Sequence, residues 1–151
     1  MITTGDTVPD IELRTDEGTP LSLADLKGRA LCLFLLGSAF TPTVERLLDL
    51  ISKNVSRFFS LNISPIAVLG ESADHLGDHR EEKDAPFILI ADERFALHEC
   101  FRGRDDNLAA VWLVGEEGVV LDVVPMLPPT ELLGVTLDRT SRALGVHRQE
   151  K

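Results

Sequence analysis

The chain has 151 residues, 44% of them hydrophobic, and a formal net charge of −10 at pH 7. This length and apolar content predict one domain, residues 1–151, with a core large enough to stand without disulfides. The negative charge argues against nucleic acid and anionic membranes as partners, because both would repel it. No stretch reaches the roughly 20 apolar residues that span a bilayer, and no signal-peptide pattern opens the chain, so we expect a cytoplasmic protein.

The amino-terminal segment predicts a β-hairpin. Two short strand-like runs, Ile11 to Leu13 and Leu21 to Leu23, flank Asp16-Glu17-Gly18, whose composition is typical of a tight turn. Ser22 and Asp25 have side chains suited to capping the turn that follows.

A strand, a helix and a second strand come next. Leu31 to Leu36 is a continuous apolar run, which predicts a strand buried on both faces. Thr41-Pro42 is a capping residue followed by proline, a common helix start, and apolar residues at helical spacing continue to about Phe59. Ile63 to Leu69 is a second buried strand, so these elements form a βαβ unit with a right-handed crossover.

The middle of the chain alternates polar and apolar segments. Glu71 to Asp84 is polar and predicts a loop followed by a short exposed helix. Pro86 opens an extended segment over Phe87 to Ile90, and Glu93 to Phe101 has the apolar spacing of a helix.

The last third predicts a hairpin and a helix. Leu108 to Val114 and Val119 to Val124 flank a turn at Gly115 to Gly118, and we expect both apolar strands in the sheet core. Thr130 to Leu144 then has the pattern of an amphipathic helix that Thr130 caps.

The junction between the first buried strand and its helix is where this chain would carry chemistry. The unpaired N–H groups and the dipole of a helix amino terminus favour thiolates and other anions. Here the first turn holds Thr43, Val44 and Glu45, and no cysteine.

The order of these elements resembles the alkyl hydroperoxide reductase and thiol-specific antioxidant family, the peroxiredoxins. The matching segments, in chain order, are Gly5-Asp6, Pro9-Asp10, Leu21 to Gly28, Ala39-Phe40-Thr41-Pro42, Phe87 to Asp92, and Trp112-Leu113-Val114 with Gly118. The resemblance implies an α/β, thioredoxin-like three-layer sandwich. It would have a central mixed sheet of about five strands, helices on both faces and an amino-terminal hairpin. It also implies a homodimer, since peroxiredoxins commonly dimerise.

The same resemblance assigns positions to a catalytic site. The family signature is Pro-x-x-x-Thr-x-x-Cys, followed much later by an arginine on a hairpin strand. Without gaps, these positions hold Gly37, Thr41, Val44 and, at or near the arginine, Ala109. A gapped alignment puts Thr41 at the cysteine position. Peroxide reduction needs a thiolate and a nearby cation, and neither valine nor threonine supplies the first.

Two hypotheses for function follow. The first is a family member that has lost peroxidase chemistry and acts as a binding or interaction module, through self-association. The second is a thiol-dependent peroxidase or oxidoreductase working through Cys100, which lies beside His98, Glu99 and Arg102 near the end of a predicted helix. Cys32 lies inside the first apolar strand, and we expect it to be buried and inert with a raised pKa.

We expect no metal and no cofactor. His75 and His79 are four residues apart and could share a helical face with Asp78 or Glu82. Because the segment is charged throughout and Gly77 weakens a helix there, surface histidines are the better interpretation.

Overall fold

The computed structural model describes residues 2–26, 28–37, 41–83, 86–102 and 109–149. The strands in these ranges are β1 (Glu12–Thr15), β2 (Pro20–Ser22), β3 (Ala30–Gly37), β4 (Ile63–Leu69), β5 (Ile88–Ala91), β6 (Ala109–Val114) and β7 (Val120–Pro125). The α-helices are α1 (Pro42–Lys53), α2 (Val55–Ser60), α3 (Ala73–Lys83), α4 (Ala96–Arg102) and α5 (Pro129–Gln149), and Leu23–Leu26 is a 3₁₀ turn.

The strands form one mixed sheet in the order β2-β1-β5-β4-β3-β6-β7. Strands β3, β4 and β5 are parallel, whereas β6 is antiparallel to β3 and β1 is antiparallel to β5. The three predicted apolar strands are therefore neighbours, as β4, β3 and β6. The expected five strands become seven among the described residues, because Arg14 pairs with Ala91 and joins the amino-terminal hairpin to the sheet.

Helices cover both faces of the sheet, and β3 shows how its sequence serves both. Cys32 and Phe34 pack on the face covered by α1, α2 and α5. Leu33 and Leu35 pack on the other face, under α4 and the 3₁₀ turn. Because successive side chains of a strand point to opposite faces, a strand that is covered on both faces must be apolar at every position. The three-layer α/β sandwich is confirmed.

The first helix begins as predicted but ends early. The Thr41 hydroxyl accepts the Val44 N–H at 3.3 Å, and Pro42 occupies the first helical position. The prediction of one helix to about Phe59 is wrong, since α1 stops at Lys53 and α2 is a separate segment. Asn54 causes the break: its side-chain amide donates to the Leu50 carbonyl at 2.8 Å and competes with continued helical bonding.

Two later boundaries also differ from prediction. Helix α4 begins at Ala96 and not at Glu93, because Phe95 has φ of +57°, outside the helical region. Helix α5 begins at Pro129, so Thr130 lies within its first turn and is not its cap. The carboxyl-terminal hairpin is confirmed, but only β6 is central, and β7 lies at the sheet edge.

Removing two buried hydroxyls should stabilise the fold. The Thr136 and Thr140 hydroxyls on α5 are fully buried, and neither makes a hydrogen bond within the described part of the chain. An unpaired buried hydroxyl costs about 1–3 kcal/mol. We therefore expect Thr136→Val and Thr140→Val each to raise the free energy of unfolding by about 1 kcal/mol in urea titrations. Thr130→Val, on an exposed position of the same helix, is the control. Loss of stability in either buried variant would mean that its hydroxyl has a partner in solution.

Candidate functional site

The junction of β3 and α1 is built around Gly37 and Val44. Gly37 ends β3 with φ of +74°, a left-handed conformation that suits glycine. Val44 lies in the first turn of α1 and is 7% exposed, packed in the same apolar cluster as Leu47 and Leu133. Residues 38–40, which join the two elements and include part of the predicted active-site segment, lie outside the described residues.

Ala109 opens β6 opposite Pro125 of β7. The antiparallel register pairs Phe34 with Val111, and two further residues carry Ala109 toward the carboxyl end of β3. Gly37, Thr41, Val44 and Ala109 therefore belong to the same end of the sheet. The sequence placed these four positions by resemblance, and the topology brings them together.

A buried carboxylate–imidazole pair lies at the same end of the sheet. Asp92 directly follows β5 and is 2% exposed, and His98 on α4 is 4% exposed. Asp92 Oδ2 is 2.7 Å from His98 Nδ1. The carboxylate also accepts the backbone N–H groups of Leu97 at 3.1 Å and His98 at 2.9 Å. One side chain thus satisfies the free amides of α4 and orients the imidazole.

His98 links this pair to β3. The Gly37 N–H donates to His98 Nε2 at 3.0 Å. Because a backbone N–H can only donate, Nε2 must be unprotonated, so Nδ1 carries the proton and donates it to Asp92. The arrangement is a neutral imidazole held between a carboxylate and a backbone amide.

The pKa of Asp92 reflects these contacts. Burial by itself raises the pKa of this carboxyl group, but the hydrogen bonds from the His98 ring and from the His98 and Leu97 amides outweigh it. The net effect is a pKa below the ordinary aspartate value, so Asp92 is ionised at neutral pH.

Phe95 covers the pair. Its ring lies 5.2 Å from the His98 ring, tilted by 57°. It also lies against Gly70, where a Cβ atom would come within 2.2 Å of Phe95 Cζ. A side chain at position 70 would therefore displace the Phe95 ring from its place against His98, a place that the positive φ of Phe95 helps to set.

The two thiols lie on different faces of the sheet. Cys32 is fully buried on the α1 face, as predicted, and burial raises the pKa of its thiol well above the ordinary value. Cys100 is half-buried and packs against the cluster on the α4 face, whereas Val44 packs on the α1 face. The structure does not bring Cys100 to the predicted pocket.

The predicted histidine pair is only partly described. The His75 side chain is 62% exposed and lies 3.6 Å from the Glu71 carboxylate. The side chains of His79 and Glu82 lie outside the described residues. Within the described chain, no three His, Cys, Asp or Glu residues are placed to hold a metal ion.

Sequence reasoning missed the Asp92–His98 pair. Asp92 entered as the end of the segment Phe87 to Asp92 and His98 as a neighbour of Cys100, and the two were not connected. The available signal was a histidine between Leu97 and Phe101, on the face of α4 that packs on the sheet, six residues after an aspartate that follows a buried strand.

Comparison with known sequences finds a family match and relatives among the peroxiredoxins. The sequence model of the AhpC/TSA family matches residues 4–123. Peroxiredoxin Bcp of Bacillus subtilis is 29% identical over 97 residues, which cover 64% of this chain and 62% of that protein. The chloroplastic peroxiredoxin Q of Sedum lineare is 24% identical over 121 residues, covering 80% of this chain and 64% of that protein. The matched part thus spans less than two thirds of either relative.

Solved structures agree on the fold. The crystal structure of peroxidoxin BcpB from Mycobacterium tuberculosis superposes with a TM-score of 0.83 at 22% identity, covering 95% of this chain and 98% of that one. A cysteine-to-serine mutant of PrxQ from Xylella fastidiosa gives the same TM-score and coverage at 16% identity.

Across the described helices, none is long and apolar enough to cross a bilayer. The family match over most of the chain, together with this fold, shows that the protein belongs to the AhpC/TSA family.

Proposed function

We propose that this chain is an AhpC/TSA domain that has lost peroxidase chemistry and acts as a binding or interaction module through self-association. The observation that carries the proposal is the state of Val44. It occupies the position that resembles the family cysteine, in the first turn of α1, and its side chain is packed into the core. An apolar side chain there supplies no nucleophile for an O–O bond.

The remaining thiols support the same conclusion. Cys32 is enclosed in the sheet, and a raised pKa keeps it protonated and unreactive. Cys100 packs on the face opposite Val44, near the end of α4, so it is not placed at the amino terminus of α1.

The competing proposal is a thiol-dependent peroxidase that uses Cys100. One observation favours it: Cys100 is the more exposed of the two free cysteines. Such an enzyme would not use the pocket of the family signature, so its site would be on the α4 face.

A peroxide assay separates the two proposals. We expect wild-type protein with dithiothreitol to consume hydrogen peroxide no faster than free cysteine does, because neither thiol is activated. Cys100→Ser should leave that background rate unchanged, and Cys32→Ser is the matched control. Rapid turnover that disappears in Cys100→Ser would establish the peroxidase and contradict the binding module.

Self-association is expected at micromolar concentration. The resemblance to peroxiredoxins implies a dimer, and the interaction module proposed here requires contact with another chain. Sedimentation velocity should show a dimer at micromolar protein, and a clean monomer at about 100 μM, the range of weak complexes, would contradict it. The cytoplasmic location and the absence of nucleic-acid and membrane partners stay predictions from composition.

A further inference from the structure

The Asp92–His98 pair has no role in the proposed function, yet it contacts the end of β3 directly. Gly37 is held at both of its backbone polar groups. Its N–H donates to His98 Nε2 at 3.0 Å, and its carbonyl accepts the Gly70 N–H at 2.8 Å. The pairing of β3 with β4 also shifts register between Leu35 and Gly37, where Gly37 pairs with Leu69. The His98 contact is therefore one of two hydrogen bonds that hold Gly37 at the end of β3.

The contact depends on the protonation state of the imidazole. Neutral His98 already carries its proton on Nδ1, so a second proton must bind Nε2. That proton would point at the Gly37 N–H, and two donors cannot share a 3.0 Å contact. Either the imidazole or Gly37 must then move.

The surroundings of His98 favour movement of Gly37. Asp92 holds Nδ1 in both protonation states, and its negative charge compensates the imidazolium. Phe95 packs on the imidazole and is itself seated on Gly70, which limits rotation of the His98 side chain.

Other charged groups at this end of the sheet have their own contacts. Of the titratable side chains described, Asp92 is the one in contact with the His98 ring, from the end of β5. The ends of β3 and β4 contribute the backbone of Gly37 and the glycine surface of Gly70. Glu71, next to Gly70, pairs with His75 of α3. A hollow beside Asp92 is lined by five further charged side chains, Glu12, Arg14, Asp74, Glu93 and Arg94.

We infer that His98, held by Asp92, is a pH-sensitive positioning residue for Gly37 at the end of β3. In its neutral form it holds the Gly37 amide, and when protonated it releases that amide while staying paired with Asp92. The inference rests on the proposed function in one respect only, in taking the end of β3 as part of the binding module that it regulates.

The test is NMR of the full ¹⁵N-labelled chain from about pH 8 to about pH 5, the range in which histidines titrate. At the upper end, the His98 ring nitrogens should show the Nδ1–H tautomer. As the pH falls, the Gly37 amide resonance should move with the same midpoint as the His98 ring, and its hydrogen-exchange protection should be lost. Three results would each overturn the inference: an Nε2–H tautomer at the upper end, a ring that keeps one proton throughout, or a Gly37 amide resonance that does not follow the titration of the His98 ring.

Two variants sharpen the result. In His98→Gln, the side-chain carbonyl can still accept the Gly37 N–H but does not titrate, so the Gly37 amide should become insensitive to pH. His75→Gln removes an exposed histidine and should leave the Gly37 titration unchanged. A titration that survives in His98→Gln would assign it to another group. If His98→Gln does not fold, the tautomer, the Gly37 titration and the Gly37 hydrogen exchange of the wild-type protein decide the test. Peroxide turnover by wild-type protein would remove the proposed function but would not alter the Gly37 titration.

Discussion

Val44→Cys combined with Ala109→Arg should reduce hydrogen peroxide at least about 100-fold faster than Val44→Cys alone, the effect of one well-placed charge-stabilising donor. Val44→Cys places a thiol in the first turn of α1, where the helix dipole favours its anion. Three factors oppose ionisation: a free thiol has a pKa of about 8.5, position 44 is only 7% exposed, and Glu45 is adjacent. Burial disfavours the charged thiolate, so the single variant should be slow.

The arginine supplies the missing cation. Ala109 lies at the same end of the sheet as the α1 amino terminus, so we expect a guanidinium introduced at this position to stabilise the thiolate and polarise the peroxide. The measurement is stopped-flow peroxide reduction by wild type, both single variants and the double variant. Ala109→Arg alone is the control and should stay at the wild-type rate, because it adds no nucleophile. If Val44→Cys alone matched the double variant, another residue would already provide the positive charge.

The second large effect concerns stability. We expect Asp92→Ala to lower the free energy of unfolding at pH 7 by about 3 kcal/mol, roughly a hundredfold in the folding equilibrium. The substitution leaves three buried donors without their acceptor: the Leu97 and His98 amides and the His98 ring N–H. Urea unfolding of both proteins measures the difference. Asp49→Ala is the control, since its ion pair with Lys53 is exposed and should contribute less than about 1 kcal/mol.

The Asp92 contribution should also depend on pH, with a definite sign. The pKa of Asp92 is lower in the folded protein than its ordinary value, so the folded state favours the ionised form. The stabilisation is therefore complete above the unfolded pKa of about 4 and is lost as the pH falls through the folded pKa. The difference in free energy of unfolding between wild type and Asp92→Ala should persist at neutral pH and shrink below about pH 4. A difference that widened below about pH 4, where the carboxyl group itself titrates, would mean that this group is protonated in the native state.

Much of this fold could be read from local sequence. The apolar runs Leu31 to Leu36 and Ile63 to Leu69 predicted buried strands because both faces of a central strand must be apolar. Thr41-Pro42 predicted the start of α1, since a cap and a following proline act within one turn. The helix boundaries that were predicted wrongly depend on contacts made by individual side chains. Asn54 ends α1 by bonding Leu50, and Phe95 delays α4 through its packing on Gly70 and His98.

In the candidate site, too, some features followed from the sequence and others only from the tertiary structure. By itself the sequence predicted, through its resemblance to the family and an ungapped alignment, that the signature positions hold Gly37, Thr41, Val44 and, at or near the arginine, Ala109. Tertiary structure decided that the Val44 side chain is packed into the core and that Cys100 lies on the opposite face of the sheet. It also decided that His98 bonds Gly37 across 61 residues of chain. No local pattern encodes such a contact, because the pairing of β3, β4 and β5 is what brings their carboxyl ends to one place.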